Sequence, residues 1–204
     1  WRAPGGWLVS CAGYDPSSGQ LGERGVVVTE RPILFSGPMV RAILAGAKTQ
    51  TRRLVKLPRW AEPGTLEEGT EGVLAVARVS GCLADVPCPY GAPGDDLWVR
   101  ETIHMPRNRS RITLRVTSVR VERLHAISED DARAEGIVDT PDRVGAHLGV
   151  YGRAPSHRTA RGAFAALWSE INGAASWDAN PWVWRVEFWR RDDGGSTRSS
   201  AGPS

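Results

Sequence analysis

Cysteine is scarce. Cys11, Cys82 and Cys88 are the only three in 204 residues, odd in number and irregular in spacing. That excludes a disulfide framework and a paired zinc motif, and it points to free thiols in a reducing cytoplasm. The four histidines, His104, His125, His147 and His157, fall at no ligand spacing, so neither a metal nor a cofactor is expected. No apolar run approaches the ~20 residues of a membrane-spanning helix, and residues 1–10 lack the charged-then-apolar layout of a signal peptide. A membrane partner is therefore not expected. Like charges never run for five or six positions. A net charge of +3 and a sequence pI ≈ 9.0 permit contact with nucleic acid without arguing for it.

Lysine is scarcer still. Lys48 and Lys56 are the only lysines among 26 Lys and Arg residues. A chain that meets nearly every need for positive charge with arginine has no general use for lysine. Arginine stays charged, whereas a buried lysine amine can lose its proton and act as a base or nucleophile. Lys48 also sits in an unusual place, the run Gly46-Ala47-Lys48-Thr49-Gln50-Thr51-Arg52-Arg53. That run reads as a helix end, a glycine stop, and then an amine, two hydroxyls and two guanidinium groups in close order. A solvated loop lysine is the plain alternative.

Most elements follow from pattern. Residues 1–27 are rich in Gly, Ser and Pro and read as a disordered leader, and 191–204 as a disordered tail. The chain begins at Trp1 and is read as a fragment or processed product. A single domain over 28–190 is expected. Residues 32–35 form a short strand, Ser36 caps a helix with Pro38 in its first turn, and Val40, Ile43 and Leu44 give that helix its buried face. Gly46 stops it. Residues 57–72 read as a loop, 73–79 as a strand, 82–94 as a Pro/Gly loop and 97–101 as a strand. Residues 107–111 form a flexible tip. A long strand over 111–124 needs a bulge at Thr117-Ser118, because its apolar residues change parity there. Ser128 and Asp131 form a capping pair for a helix to about Ala134, closed by Glu135-Gly136. Residues 139–155 look turn-rich and exposed. A helix from Thr159 carries the stripe Phe164, Leu167, Trp168 and Ile171, and Asn172-Gly173 ends it. Residues 181–189 make a last strand with Trp182, Trp184, Val186 and Phe188 on one face. Strands outnumber helices and lack a βαβ rhythm, which favours an α+β fold with a curled, largely antiparallel sheet.

The run from Gly46 to Arg53 resembles the signature of the ASCH family, glycine, any, lysine, any, any, glutamate, any, arginine. Gly46, Lys48 and Arg53 match, and Thr51 stands at the glutamate position. The same replacement occurs in small bacterial ASCH proteins that hydrolyse N4-acetylcytidine, whose motif is Lys-Thr-x-Thr. Two later stretches, 94–102 and 177–184, look like those of a phage-associated ASCH subgroup. The resemblance spans roughly residues 30–190. It implies a PUA-like curled β-barrel flanked by helices, and a catalytic set of a lysine, a threonine three residues on and a glutamate after the next helix. Those positions here are Lys48, Thr51 and Glu135.

An N4-acylcytosine is an amide with an aromatic amine as leaving group. Its hydrolysis needs a nucleophile, a base and an acid for the departing nitrogen. Thr51 can supply the hydroxyl, and Lys48, held neutral by burial or by Arg52 and Arg53, can take its proton. Glu135 then orients the lysine or shuttles a proton. In a second scheme Glu135 activates water and a charged Lys48 stabilises the oxyanion. For substrate binding, Arg53 holds a phosphate or else a structural carboxylate. Trp98 stacks on the base or else joins the core, as do Trp182 and Trp184. Glu101 reads the amine edge of cytosine or is an edge-strand charge. The competing function is an RNA-binding or RNA-cleaving ASCH module. The expected partners are thus an N4-acylated cytosine nucleoside or RNA.

Overall fold

Ile112, Leu114 and Val116 share one parity and Val119 and Val121 the other, so one extra residue is needed to keep all five on the same side of a sheet. The computed structural model describes residues 9–10, 28–56, 66–68, 74–79, 82–142, 145–150 and 157–191. It places the extra residue at Thr117: Ser118 pairs with Glu187 and Val116 with Phe188, and exposed Thr117 bulges between them. All five apolar residues are buried in one core.

The elements in chain order are β1 (Val9–Ser10), β2 (Glu30–Leu34), α1 (Gly37–Leu44), β3 (Gln50–Leu54), β4 (Leu66–Glu68), β5 (Leu74–Val79), β6 (Cys82–Pro87), β7 (Asp96–Arg100), β8 (Thr113–Arg123), α2 (Glu129–Ala134), β9 (Ile137–Asp142), β10 (Gly145–Val150), α3 (Ala160–Asn172) and β11 (Trp182–Arg191). The main sheet runs β2-β7-β8-β11-β3, antiparallel except for the parallel pair β2 and β7. A smaller sheet runs β1-β6-β5-β4, and β9 pairs with β10 as a separate antiparallel ribbon.

β11 sends buried side chains to both sides of the sheet, and this sets the layers. Trp184, Val186 and Phe188 enter the first core with Phe35, Leu97 and the α1 residues Val40 and Ile43. Val183, one residue out of phase, enters a second core with Leu124, Ile127, Phe164, Leu167 and Trp168. Each such side chain contributes about 1.5–3 kcal/mol by leaving water. Half-buried Met39 packs against both cores.

The fold is mixed α+β, with a five-stranded sheet and three α-helices among the described residues, and the described strands of that sheet do not close into a barrel. β2 and β3 are opposite edges of the sheet, without backbone pairing to each other. A side chain reaches between them instead: Arg53 Nη2 donates to the Leu34 carbonyl at 2.6 Å.

Other expectations need correction. Residues 82–87 form β6 rather than a loop; apolar Val86 is buried in the first core, and Pro87 lies beyond the Leu83 and Ala84 pairing with β1, on a stretch of β6 paired only with β5 among the described residues. Ile137–Asp142 and Gly145–Val150 form the β9–β10 ribbon where turns were expected, and the rest of the expected 139–155 turn region lies outside the described residues. Each strand of a two-stranded ribbon keeps one free edge, which is the kind of strand that tolerates a proline such as Pro141. The pair Val9–Ser10, within the expected leader, joins β6, and Arg191 belongs to β11. The rest of the expected leader and tail, and most of 57–72, lie outside the described residues. Leu44 and Ile171 are exposed, because each apolar stripe is one residue shorter than its spacing suggests. Ser36 occupies the N-cap position of α1 without a side-chain capping bond. The 107–111 segment contains a 3₁₀ turn, and Arg107 pairs with Glu30 at 2.8 Å.

Candidate active site

The local sequence forces Lys48 inward. α1 ends at Leu44, and Gly46 takes φ +73°, a left-handed value that glycine adopts without strain. The amides of Ala47 and Lys48 then both donate to the Ala42 carbonyl, at 2.9 and 3.1 Å. The chain is next caught from two sides. Thr49 N donates to the Ala134 carbonyl at 2.9 Å, and Phe188 N donates to the Thr49 carbonyl at 2.8 Å. Lys48 thereby forms an isolated antiparallel bridge with Glu135.

Glu135 is the C-cap of α2, and that helix is fixed by its own chemistry. Asp131 N donates to Ser128 Oγ at 3.0 Å and Ser128 N to Asp131 Oδ2 at 3.2 Å, the reciprocal capping box expected from sequence. Gly136 follows at φ +96°, and a β-carbon there would lie 3.3 Å from Ala42 Cβ and 3.4 Å from Lys48 Cβ. Glycine at 136 is needed both for the turn and for the lysine stem beside it.

Lys48 Nζ donates to both the Glu135 carbonyl and Glu135 Oε2, each at 2.8 Å. The two side chains are 1% and 4% exposed. Burial pushes the Lys48 amine below its ordinary range; Glu135 opposes this, and the Arg53 and Arg52 charges add to it. The amine also stands 5.6 Å from the Phe35 ring centroid, and the Arg53 guanidinium stands 5.1 Å from the same ring.

The other Glu135 oxygen accepts from Arg52 Nη1 at 3.3 Å. Arg52 is fully enclosed and meets two more carboxylates, Glu122 at 2.7 Å and Asp131 at 3.2 Å. Gln50 donates to Asp131 and accepts from Arg185, which also pairs with Glu187. Burial alone would raise the Asp131 carboxyl, but hydrogen bonds from Gln50 and Ser128 and the Arg52 charge hold it below the usual range. The Lys48–Glu135 pair is thus the buried end of a longer ionic chain on β3, β8, β11 and α2.

A cavity of ≈ 70 Å³ lies between β3 and α3. Thr51, Arg53 and Glu135 border it, with Met39, Phe164 and Trp168. Lys48 is not among its lining residues; its link to the cavity runs through Glu135. The structure therefore gathers Lys48, Thr51, Glu135 and Arg53 into one place. It does not bring Trp98 or Glu101 there. Leu97 and Val99 fill the first core, so strand alternation turns Trp98 to the opposite face, where the Arg100 guanidinium lies 5.9 Å from its ring. Glu101 accepts from Arg111 at 2.8 and 3.2 Å, a bond that holds its carboxyl below the usual range.

Three contributors escape a reading of the sequence. Arg52 looks like one arginine among many; its signal is the alternation along β3, which sets it against the opposite face from Thr51. Trp168 reads as part of an apolar helix stripe. Phe35 reads as the end of a strand. Among the described residues, no group of three or more His, Cys, Asp or Glu side chains could hold a metal ion. Chemically, the arrangement offers a buried amine bonded to a carboxylate, with a threonine and a guanidinium bordering the cavity that the carboxylate reaches.

Comparison with known proteins found no matching family model, no matching curated protein and no matching solved structure.

Proposed function

We propose that this chain is an amidohydrolase of the ASCH type, with a PUA-like fold, that removes the acyl group from N4-acylated cytosine nucleosides. One observation carries the reading. Residues 87 positions apart, Lys48 and Glu135, meet as a buried pair at 2.8 Å, and Glu135 borders the cavity that Thr51 and Arg53 also line. The resemblance of the Lys48-Thr49-Gln50-Thr51 run to the ASCH signature supplies the substrate class.

In this reading Thr51 Oγ1 attacks the acyl carbon and its proton passes to Lys48 or Glu135. A neutral Lys48 can donate two hydrogens to Glu135 and keep its lone pair for that proton. The N4 nitrogen takes a proton as its bond to the acyl carbon breaks, and water then cleaves the threonyl ester. The lowered affinity of Lys48 for its proton supports the base role. The cavity is smaller than the roughly 300–1,000 Å³ usual for ligand sites, so the planar base edge would enter and the sugar would lie outside.

Incubation with N4-acetylcytidine, followed by the ultraviolet shift to cytidine, tests this directly. Wild-type protein is expected to turn over. Lys48→Ala is expected to lose ~10²–10⁴-fold in kcat, the usual worth of general acid–base help. Full activity in Lys48→Ala, or none in the wild type, overturns the mechanism.

RNA binding is a second reading, favoured by the outer sheet face. Trp189 is 51% exposed there, and Arg100 stacks on Trp98. It predicts salt-sensitive affinity for single-stranded RNA that survives Lys48→Ala.

A further inference from the structure

The second of the two lysines also has a place of its own. Lys56 lines a pocket of ≈ 300 Å³ with Leu54, Pro87, Pro89, Tyr90 and Trp184. No carboxylate lines this pocket, and Lys56 is exposed and makes no ion pair among the described residues. A second cation stands near it. Arg53 borders the smaller cavity, gives Nη2 to the Leu34 carbonyl rather than to a carboxylate, and keeps a buried Nε without a partner. Burial pushes the Tyr90 phenol up and the Arg53 charge opposes it, so Arg53 lies close to a wall of the Lys56 pocket. Leu54 borders both spaces, which therefore flank the same end of β3. Thr51 and Lys56 are five residues apart, no more than about 18 Å along the chain.

We infer that the Lys56 pocket receives the phosphate-bearing part of the substrate, so that the favoured substrate is an N4-acylated cytosine nucleotide rather than the free nucleoside. This rests on the amidohydrolase reading above. The cavity beside Thr51 has room for the edge of a base, which leaves the sugar and its substituents outside. The Lys56 pocket reaches the lower end of the volumes usual for ligand sites. An unpaired ammonium beside apolar Pro87, Pro89 and Trp184 suits a ligand that is anionic at one point and apolar elsewhere, as a sugar phosphate is. Lysine meets phosphate as a point charge on a flexible stem, without the fixed fork of arginine. With no carboxylate on the pocket wall, nothing there repels the anion. The sugar separates base from phosphate, and the distance from Thr51 to Lys56 leaves room for it. A mononucleotide and a nucleotide within a single RNA strand share this chemistry, and ligand length separates them.

Calorimetry at low salt compares cytidine, its 5′- and 3′-monophosphates, a cytidine trinucleotide and inorganic phosphate, each on wild type and on Lys56→Gln. Turnover of N4-acetylcytidine and of its monophosphates is followed in parallel. At least one monophosphate is expected to bind wild type about tenfold more tightly than cytidine, the usual worth of a hydrogen bond to a charged group. That advantage is expected to shrink with added salt and to fall to about twofold or less in Lys56→Gln. The same monophosphate is expected to show the higher kcat/KM when acetylated. Equal binding of cytidine and both monophosphates overturns the inference, as does an advantage that survives Lys56→Gln. Inorganic phosphate bound as tightly as the monophosphates overturns the nucleotide assignment, because the pocket would then be a bare anion site. A trinucleotide that binds more tightly than the monophosphates supports the phosphate site within a strand, and one that binds equally supports it for a mononucleotide. Turnover of N4-acetylcytidine without any phosphate advantage overturns the inference and leaves the amidohydrolase reading intact. A Lys56-dependent advantage without turnover supports the pocket and overturns the activity.

Discussion

Burial draws the Lys48 amine below its ordinary range while Glu135, 2.8 Å away, pulls the other way, and burial dominates. Between the folded value and the ordinary lysine value of about 10.4, the unfolded chain holds more protons than the folded one. Stability therefore rises with pH through that window. Lys48→Met lacks the group, so the advantage of wild type over this variant should widen as pH rises from neutral toward about 10 in urea unfolding. A narrowing gap would show that Glu135 wins instead. Activity should follow the same sign if Lys48 acts as a base, with kcat/KM rising as the amine loses its proton. The lysine stood out in the sequence because arginine replaces lysine almost everywhere else. Trp98 and Glu101 could not be placed from sequence: a strand turns alternate residues to opposite faces, and nothing in residues 97–101 says which face holds the cavity. Trp168 was illegible for another reason, since a tryptophan on an apolar helix stripe looks the same whether it only fills a core or also borders a cavity.

Glycines decide how the elements deliver these residues. Gly46 and Gly136 both have positive φ, yet a β-carbon at Gly46 meets nothing within 4 Å, whereas one at Gly136 presses on Ala42 and Lys48. Gly46→Ala should cost backbone strain alone, about 1–3 kcal/mol. Gly136→Ala should cost more in thermal unfolding and also lower kcat, because it displaces the lysine stem. Equal losses for the two would mean that the contact with Lys48 is idle. The helices were legible because their ends are written in short polar signals: Ser128 with Asp131 for α2, and Thr159, which accepts from Gly162 N, for α3. The bulge at Thr117 was legible from a parity change. β6 and the β9–β10 ribbon were not, because Pro and Gly mark turns and free strand edges equally well.

Across the molecule, the ionic chain around Arg52 joins the sheet to α2. Its side chain is fully enclosed and touches Glu122 of β8 and both Asp131 and Glu135 at α2, two separate stretches of sequence. Arg52→Met leaves those carboxylates without their shared cation, and about 3–5 kcal/mol of stability should go in urea unfolding. Lysine carries a compact charge and lacks the wide planar fork with which arginine spans separate carboxylates, so Arg52→Lys should recover only part of it. A loss under about 1 kcal/mol would place these ions in solvent-like surroundings. Such tertiary pairing depends on which strands become neighbours, and the sequence does not state that order. No described helix is long and apolar enough to cross a membrane.

The bond from Thr49 N to the Ala134 carbonyl makes the candidate site readable by a clock. This amide is released only when the 47–49 segment parts from the end of α2, the same event that separates Lys48 from Glu135. Its deuterium exchange therefore times the opening of the Lys48–Glu135 pair. If the pair holds as firmly as the core, Thr49 should exchange as slowly as the Val186 amide in the middle of β11. Exchange many-fold faster would identify a local opening through which the lysine trades partners without the protein unfolding.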